Sequence, residues 1–236
     1  MALPKIQSPT FEVVIPSINK SVLFRPFLVK EEKILLMAQQ SNDEKDIIKA
    51  IKQVVNNCCI EENFDVEKMA LFDLEYLFLK LRARSVNNII EVVYKDSEDE
   101  KEYKFVINLD DVEVKMPKKI DKNIKINKKS GIIMKYPSAS LVDEVKEFKN
   151  EIEILNFFIL KCIQEIYDEN DVYPASEQTE KELQEFLDSL DVKTFDKIRE
   201  FIENIPKLHH TVKYLNAKGE EKFVTLNTLS DFFMLG

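Results

Sequence analysis

Glycine is scarce in this sequence of 236 residues, and its scarcity excludes several classes of enzyme. The three glycines are Gly131, Gly219 and Gly236. A phosphate-binding loop needs several closely spaced glycines, because only a residue without a Cβ lets the backbone approach a phosphate. Neither a G-x-G-x-x-G loop nor a Walker-type loop can be written from this sequence. We therefore expect no nucleotide-binding loop of either kind.

Cysteine and histidine are also rare, which limits metal and nucleophile chemistry. Cys58, Cys59 and Cys162 form no C-x-x-C pair, so we predict neither a disulfide framework nor a thiolate zinc site. His209 and His210 are adjacent, and adjacent strand residues point to opposite faces, so we expect one imidazole to be packed and the other solvated. The sequence offers no nucleophile–base pair, and we predict a non-enzymatic protein without a cofactor or metal site.

The remaining composition is that of an acidic protein with a substantial core. Hydrophobic residues make up 44% of the chain, including 16 Phe, and charged residues make up 33%. No apolar run approaches the roughly 20 residues of a membrane helix. The net charge of −9 disfavours general binding to nucleic acid.

Apolar spacing and turn residues predict an α+β fold with a β-hairpin near each end of the chain. The predicted strands are 11–15, 22–28, 89–94, 103–107, 112–115, 124–127, 132–136, 208–215 and 221–226. The predicted helices are 30–40, 43–57, 66–84, 140–167, 177–190 and 193–204. Residues 216–219 form the turn of the last hairpin, where Gly219 is free to adopt a positive φ.

These elements suggest four segments, which could form one or two compact domains. The N-terminal hairpin and helical core cover 1–86, and a small antiparallel β region covers 87–137. An acidic helical region covers 138–206, and the C-terminal hairpin and tail cover 207–236.

Charge is segregated along the chain. Residues 115–129 contain seven Lys and one Asp, whereas residues 143–203 contain 18 acidic and seven basic residues. The Lys-rich segment is typical of a solvated face or a partner-docking surface, and nucleic-acid binding is the remoter alternative. The acidic region is explained equally well by solvated outer helix faces and by a surface that docks a basic partner.

Several stretches resemble one protein family. They are Phe24-Arg25-Pro26-Phe27-Leu28-Val29-Lys30-Glu31-Glu32-Lys33 with the following 34–38, then 72–85, 206–210 and 229–233. In this order they resemble the baseplate hub proteins of T-even-type contractile-tailed bacteriophages. None of the stretches is a catalytic motif, so the resemblance depends on their number and order.

The resemblance implies a morphogenesis protein that acts through protein–protein contacts in assembly of the tail baseplate hub. The implied partners are other hub proteins or the tape-measure protein, either in the host cytoplasm during assembly or in the virion baseplate. A transient tail-assembly chaperone is the alternative. The candidate partner-binding residues are Phe24, Phe27, Arg82, Arg84, Lys118, Lys119, Lys122 and Lys125. Phe24 and Phe27 could instead be core residues, and the two Arg could cap the helix that carries them.

Overall fold

The computed structural model describes residues 8–41, 43–117, 121–144, 148 and 150–233. Within these residues the strands are β1 Phe11–Ile15, β2 Lys20–Phe24, β3 Ile89–Lys95, β4 Glu102–Asn108, β5 Glu113–Lys115, β6 Asn123–Lys125, β7 Gly131–Met134, β8 Ile163–Tyr167, β9 Val172–Pro174, β10 Lys207–Leu215 and β11 Glu221–Leu226. The helices are α1 Val29–Ser41, α2 Glu44–Cys58, α3 Leu71–Ser85, α4 Leu141–Glu144, α5 Glu151–Cys162, α6 Glu180–Asp188, α7 Val192–Glu203 and α8 Leu229–Phe233. Small antiparallel sheets alternate with helices, which confirms the predicted α+β fold.

Contacts between residues group the chain into two compact units. Unit 1 consists of residues 1–115 and 207–236, and unit 2 consists of residues 116–206. The C-terminal hairpin belongs to unit 1 because β10 pairs with β5, with Lys207 opposite Lys115. The structure thus joins the first and last predicted segments in one unit, and the finer division into four domains stays a prediction.

Unit 1 is built around α3, which buries residues on several sides, among them Phe72, Leu74, Leu77, Leu79 and Leu81. This burial agrees with the apolar pattern of that segment, which is hydrophobic nearly all round. The helix is shorter than predicted, because Val66–Lys68 forms a separate 3-10 turn and α3 starts at Leu71.

A second part of the unit 1 core lies under its β-strands. Strands β3 and β4 form one hairpin, and β11, β10 and β5 form a three-stranded sheet in that order. Leu79 of α3 packs with Ile107, Leu208, Leu226 and Phe232. The turn of the β10–β11 hairpin contains Gly219 at a φ of 79°, as predicted for that position.

Unit 2 packs helices on an antiparallel sheet of order β6-β7-β8-β9. Its core includes Ile132, Ile159, Cys162, Ile198 and Phe201. Gly131 is the first residue of β7 and lies close to both Tyr167 and Ile124. A Cβ at this position would lie 2.5 Å from the Tyr167 hydroxyl oxygen and 2.9 Å from the Ile124 carbonyl oxygen, so only glycine is accommodated without a shift.

The predicted continuous helix over 140–167 is wrong. The structure has the short α4, then α5, whose first turn is capped by the Asn150 side chain accepting from the Glu153 N–H at 3.0 Å. Helix α5 ends at Cys162, and the next five residues form β8. Residues 163–167 pair with β7 on one side and β9 on the other, and this tertiary pairing overrides the local helical spacing.

Candidate functional site

Arg25 lies in the first of the family-like stretches. It connects the end of β2 to the start of α1 and to the end of α2. Its Nη2 donates to Glu31 Oε1 at 3.0 Å and to the Asn57 carbonyl at 3.0 Å. Its Nη1 donates to Glu31 Oε2 at 3.3 Å and to the Pro26 carbonyl at 3.0 Å. Glu31 is fully buried and also accepts from the Leu28 N–H at 2.8 Å. These charge-assisted bonds fix the first turn of α1 against the end of α2.

The ionisation of this group is consistent with a structural role. Burial raises the pKa of Glu31, but hydrogen bonds from Arg25 and Leu28 outweigh burial and hold it below its usual value. Burial also raises the pKa of the neighbouring Cys58 to about 11, and that of Cys162 in unit 2 to about 12. Both thiols are therefore protonated at neutral pH, whereas a nucleophilic cysteine needs its thiolate.

Phe24 and Phe27 lie in the interior of unit 1. Phe24 is fully buried and meets Phe64 edge to face, with ring centroids 5.6 Å apart. Phe27 is buried, and its N–H donates to Ser85 Oγ at 3.0 Å. This burial favours the alternative in which both rings are core residues, and direct contact with a partner stays a prediction.

Arg82 and Arg84 lie in the last turn of α3 with different exposure. Arg82 is half-buried, and Arg84 is exposed with its Nη2 3.8 Å from Asp110 Oδ1. A third cation of α3, Lys80, was missed by sequence reasoning. Its Nζ donates to the carbonyls of Leu109, Asp110 and Val112 at 2.8–3.0 Å. The available signal was the position of Lys80 between the buried Leu79 and Leu81.

The Lys-rich segment belongs to unit 2 and is only partly described. Lys118 and Lys119 lie outside the described residues. Lys122 places its Nζ 4.0 Å from the centroid of the Tyr136 ring, a cation–π distance. Lys125 is exposed on β6. Their role as partner contacts is not tested by this geometry and stays a prediction.

Sequence reasoning also missed an exposed apolar surface on α1. Val29, Leu36 and Met37 share one side of the helix by their spacing, and Leu28 precedes it; we call these four residues the α1 face. Met37 is 72% exposed and Val29 is 66% exposed. Glu31 is the only residue of this helix that is buried, so the helix is held by its polar contact with Arg25 and by packing on α2. A helix that leaves such residues exposed is typical of a protein–protein contact site.

The two histidines are both half-buried on β10, so the expectation of one packed and one solvated imidazole is not met. His209 Nε2 lies 3.4 Å from Thr211 Oγ1. Among the described residues, no three His, Cys, Asp or Glu side chains come together as a metal site. Nor is any helix of the described chain both long and apolar enough to cross a bilayer.

Comparison with known proteins assigns the family. The family described as T4 bacteriophage base plate protein matches residues 8–234, which is nearly the whole chain. Searches among curated proteins and among solved structures returned no match. The matched range includes all four stretches that carry the resemblance, as well as Arg25 and the α1 face. The chain therefore belongs to the T4 bacteriophage base plate protein family.

Proposed function

We propose that this protein is a non-enzymatic component of the baseplate hub and that it acts by binding other tail proteins through the α1 face. The observation that carries the proposal is the exposure of apolar residues on α1, directly after the Arg25 contacts that fix this helix. Burial of such residues against a partner is favourable by about 25 cal/mol per Å² of apolar area. Membership of a baseplate family supports a partner from the phage tail.

The helix is suited to this task because its position does not depend on the exposed residues. Arg25 and Glu31 hold the first turn from the inner side, whereas Leu36 and Met37 lie two turns further along. A helix that is already fixed loses little conformational freedom on binding, which favours affinity. The exposed Lys30, Glu32 and Lys33 beside the apolar residues would set the register of the contact.

We expect substitutions in the α1 face to weaken capture of the tail protein that binds there. Leu36→Ser with Met37→Ser removes apolar contacts without touching buried groups, so the protein should keep its stability. Pull-down from phage-infected cells, with mass spectrometric identification, should recover a tail protein at least about tenfold less with this variant. Leu215→Ser with Phe223→Ser is the matched control, because both of these residues are exposed on β10 and β11. Recovery of no tail protein by the unaltered chain would refute the proposal.

Mass spectrometry of purified tails distinguishes a resident hub subunit from a transient assembly chaperone. The proposal predicts a fixed number of copies in each mature tail. Absence from mature tails, together with capture of hub or tape-measure protein from infected cells, would instead establish the chaperone alternative.

A further inference from the structure

Unit 2 contains a groove of about 620 Å³ with an apolar floor. It is lined by residues of the β6–β7 loop, the end of β8, β9, α6 and the α6–α7 loop. Ile126, Ile166, Phe186 and Leu190 form its floor, where each is half-buried and packs on the unit 2 core. The floor can therefore take up a bulky apolar side chain without rearrangement of the core.

The charged residues that the structure describes around this groove are all carboxylates. Asp168, Glu182 and Asp191 line it, and all three are exposed. None of the described residues that line it is a Lys or an Arg. Tyr167 and Tyr173 add aromatic rings, and Tyr173 is 40% exposed. Carboxylates beside aromatic rings are the surroundings that Lys and Arg side chains favour.

Local hydrogen bonds hold these carboxylates in place and keep them ionised. Asp168 Oδ1 accepts from the N–H groups of Asn170 and Asp171, which lowers its pKa. Glu182 accepts from the Thr179 N–H and hydroxyl in a capping box, and these bonds lower its pKa as well.

Asp191 completes the set at the start of α7. Its oxygens accept from the hydroxyl and the N–H of Thr194 at 2.9 and 3.0 Å, and these bonds lower its pKa. The negative charge around the groove is therefore present at neutral pH and is fixed by the fold.

We propose that this groove of unit 2 binds a basic segment of another tail protein, in which Lys or Arg residues flank one bulky apolar side chain. The apolar side chain lies on Phe186 and Leu190, and the flanking cations lie against the three carboxylates. A phosphate-bearing partner is disfavoured, because the groove would place its charge beside like charges. The proposal deepens the protein-binding role proposed above by giving the chemistry of one partner, at a site separate from the α1 face.

Binding of defined peptides to the purified full chain tests this proposal. The probe is a fluorescent peptide with a central Phe flanked on both sides by Lys and Arg, followed by fluorescence anisotropy. A second peptide carries Ala in place of the Phe. We expect the Phe peptide to bind, with affinity falling as salt rises, and the Ala peptide to bind at least about tenfold more weakly. No binding of the Phe peptide at low salt, or equal binding of the two peptides, would overturn the proposal.

Isosteric variants test whether the groove carboxylates hold the cations. Asp168→Asn, Glu182→Gln and Asp191→Asn remove three charges and retain an acceptor oxygen at each position. The matched control is Glu185→Gln, Glu200→Gln and Glu203→Gln, three exposed residues of α6 and α7 that do not line the groove. The groove variant should bind at least about tenfold more weakly, and the control should stay within about threefold of the unaltered chain. An equal loss in both would mean general charge attraction and would overturn the proposal.

A third variant blocks the groove without changing its charge. Ser189 lines the groove and is exposed, whereas Ser176 is exposed and does not line it. Ser189→Trp should abolish peptide binding and Ser176→Trp should not, with circular dichroism confirming that both variants are folded. Unchanged binding to folded Ser189→Trp would overturn the proposal. Because this test uses purified protein and peptide, its failure leaves the capture experiment on the α1 face unaffected.

Discussion

Glu75 illustrates how one half-buried carboxyl can make stability depend on pH. It lies on α3 within 3.5 Å of the Leu229 N–H at the start of α8. Burial raises the pKa of Glu75 to about 7 from an ordinary value of 4.5; the Leu229 hydrogen bond opposes the rise, and Asp231 adds to it. Between these two values the folded state holds a proton that the unfolded state has lost. This difference in protonation raises the free energy of unfolding. The contribution is complete below pH 4.5 and disappears as the pH rises through 7.

Replacing Glu75 with Gln should therefore remove this pH dependence. Gln cannot ionise but keeps an oxygen for the Leu229 N–H. We expect Glu75→Gln to raise the unfolding free energy by up to about 3 kcal/mol at pH 8, with little effect at pH 4.5. Urea unfolding at both pH values measures the difference, with Glu62→Gln as an exposed control. The same pH slope in Glu75→Gln and in the unaltered chain would contradict the assigned pKa.

Residues 24–33 show how much of the candidate site the sequence alone could reveal. Residues 24–33 were singled out because they resemble a family, but the resemblance could not separate buried Phe24 from exposed Val29. Both are large and apolar, and only tertiary packing decides which is covered. The contact of Arg25 with Glu31 depends on the bend between β2 and α1, which no helical or strand spacing predicts.

At the scale of elements, local pattern predicted the final hairpin well, but it placed the second strand of the first hairpin at 22–28 where the structure has Lys20–Phe24, and it predicted the end of α5 poorly. Strand β1 and the final hairpin have clear alternation and turn residues, so they form where predicted within one or two residues. The segment after Cys162 has apolar residues at positions that suit both a helix and a strand. Its conformation is decided by pairing with β7, a segment about 30 residues earlier, which local spacing does not encode.

The acidic turn at residues 96–100 holds the last hairpin in unit 1. The Tyr214 hydroxyl donates to Asp96 Oδ2 at 2.7 Å, and Lys222 Nζ donates to Glu98 Oε2 at 2.8 Å. Asp96 is buried, and the Tyr103 and Tyr214 rings lie 4.6 Å apart beside it. Asp96 and Glu98 therefore make contacts within the fold, although a charge count alone would assign this acidic turn to a partner surface.

Loss of the Asp96 carboxylate should loosen this contact between elements. Asp96→Ala leaves the Tyr214 hydroxyl without its acceptor, so we expect the unfolding free energy to fall by about 2 kcal/mol. Asp111→Ala, at an exposed position, is the charge-matched control and should have little effect. A double-mutant cycle with Tyr214→Phe, measured by urea unfolding, should show that the two losses are not additive. Strict additivity would mean that the Tyr214–Asp96 hydrogen bond contributes nothing.

At the scale of the whole molecule, the chain leaves unit 1 and returns to it at adjacent positions. Residues 115 and 207, which flank unit 2, are direct partners in the antiparallel pairing of β5 with β10. In the order of the chain, unit 2 is thus inserted between two strands of unit 1 that pair with each other. A sequence read from one end to the other cannot reveal this arrangement, because it depends on pairing between strands separated by an entire unit.

Unit 1 should accordingly fold without unit 2. Replacing residues 116–206 with Asn-Gly joins Lys115 to Lys207 through a two-residue turn, the connection that suits directly opposed strand residues. The shortened chain keeps Leu208 and Leu226 in the unit 1 core, so we expect cooperative urea unfolding and a monomeric elution volume. The control joins Val114 to Lys207 with the same turn, which shifts the register by one residue. Such a shift places Glu113 opposite Leu208 in place of Val114, so the control should be markedly less stable. The prediction fails if the chain that joins Lys115 to Lys207 does not unfold cooperatively. It also fails if the two shortened chains are equally stable.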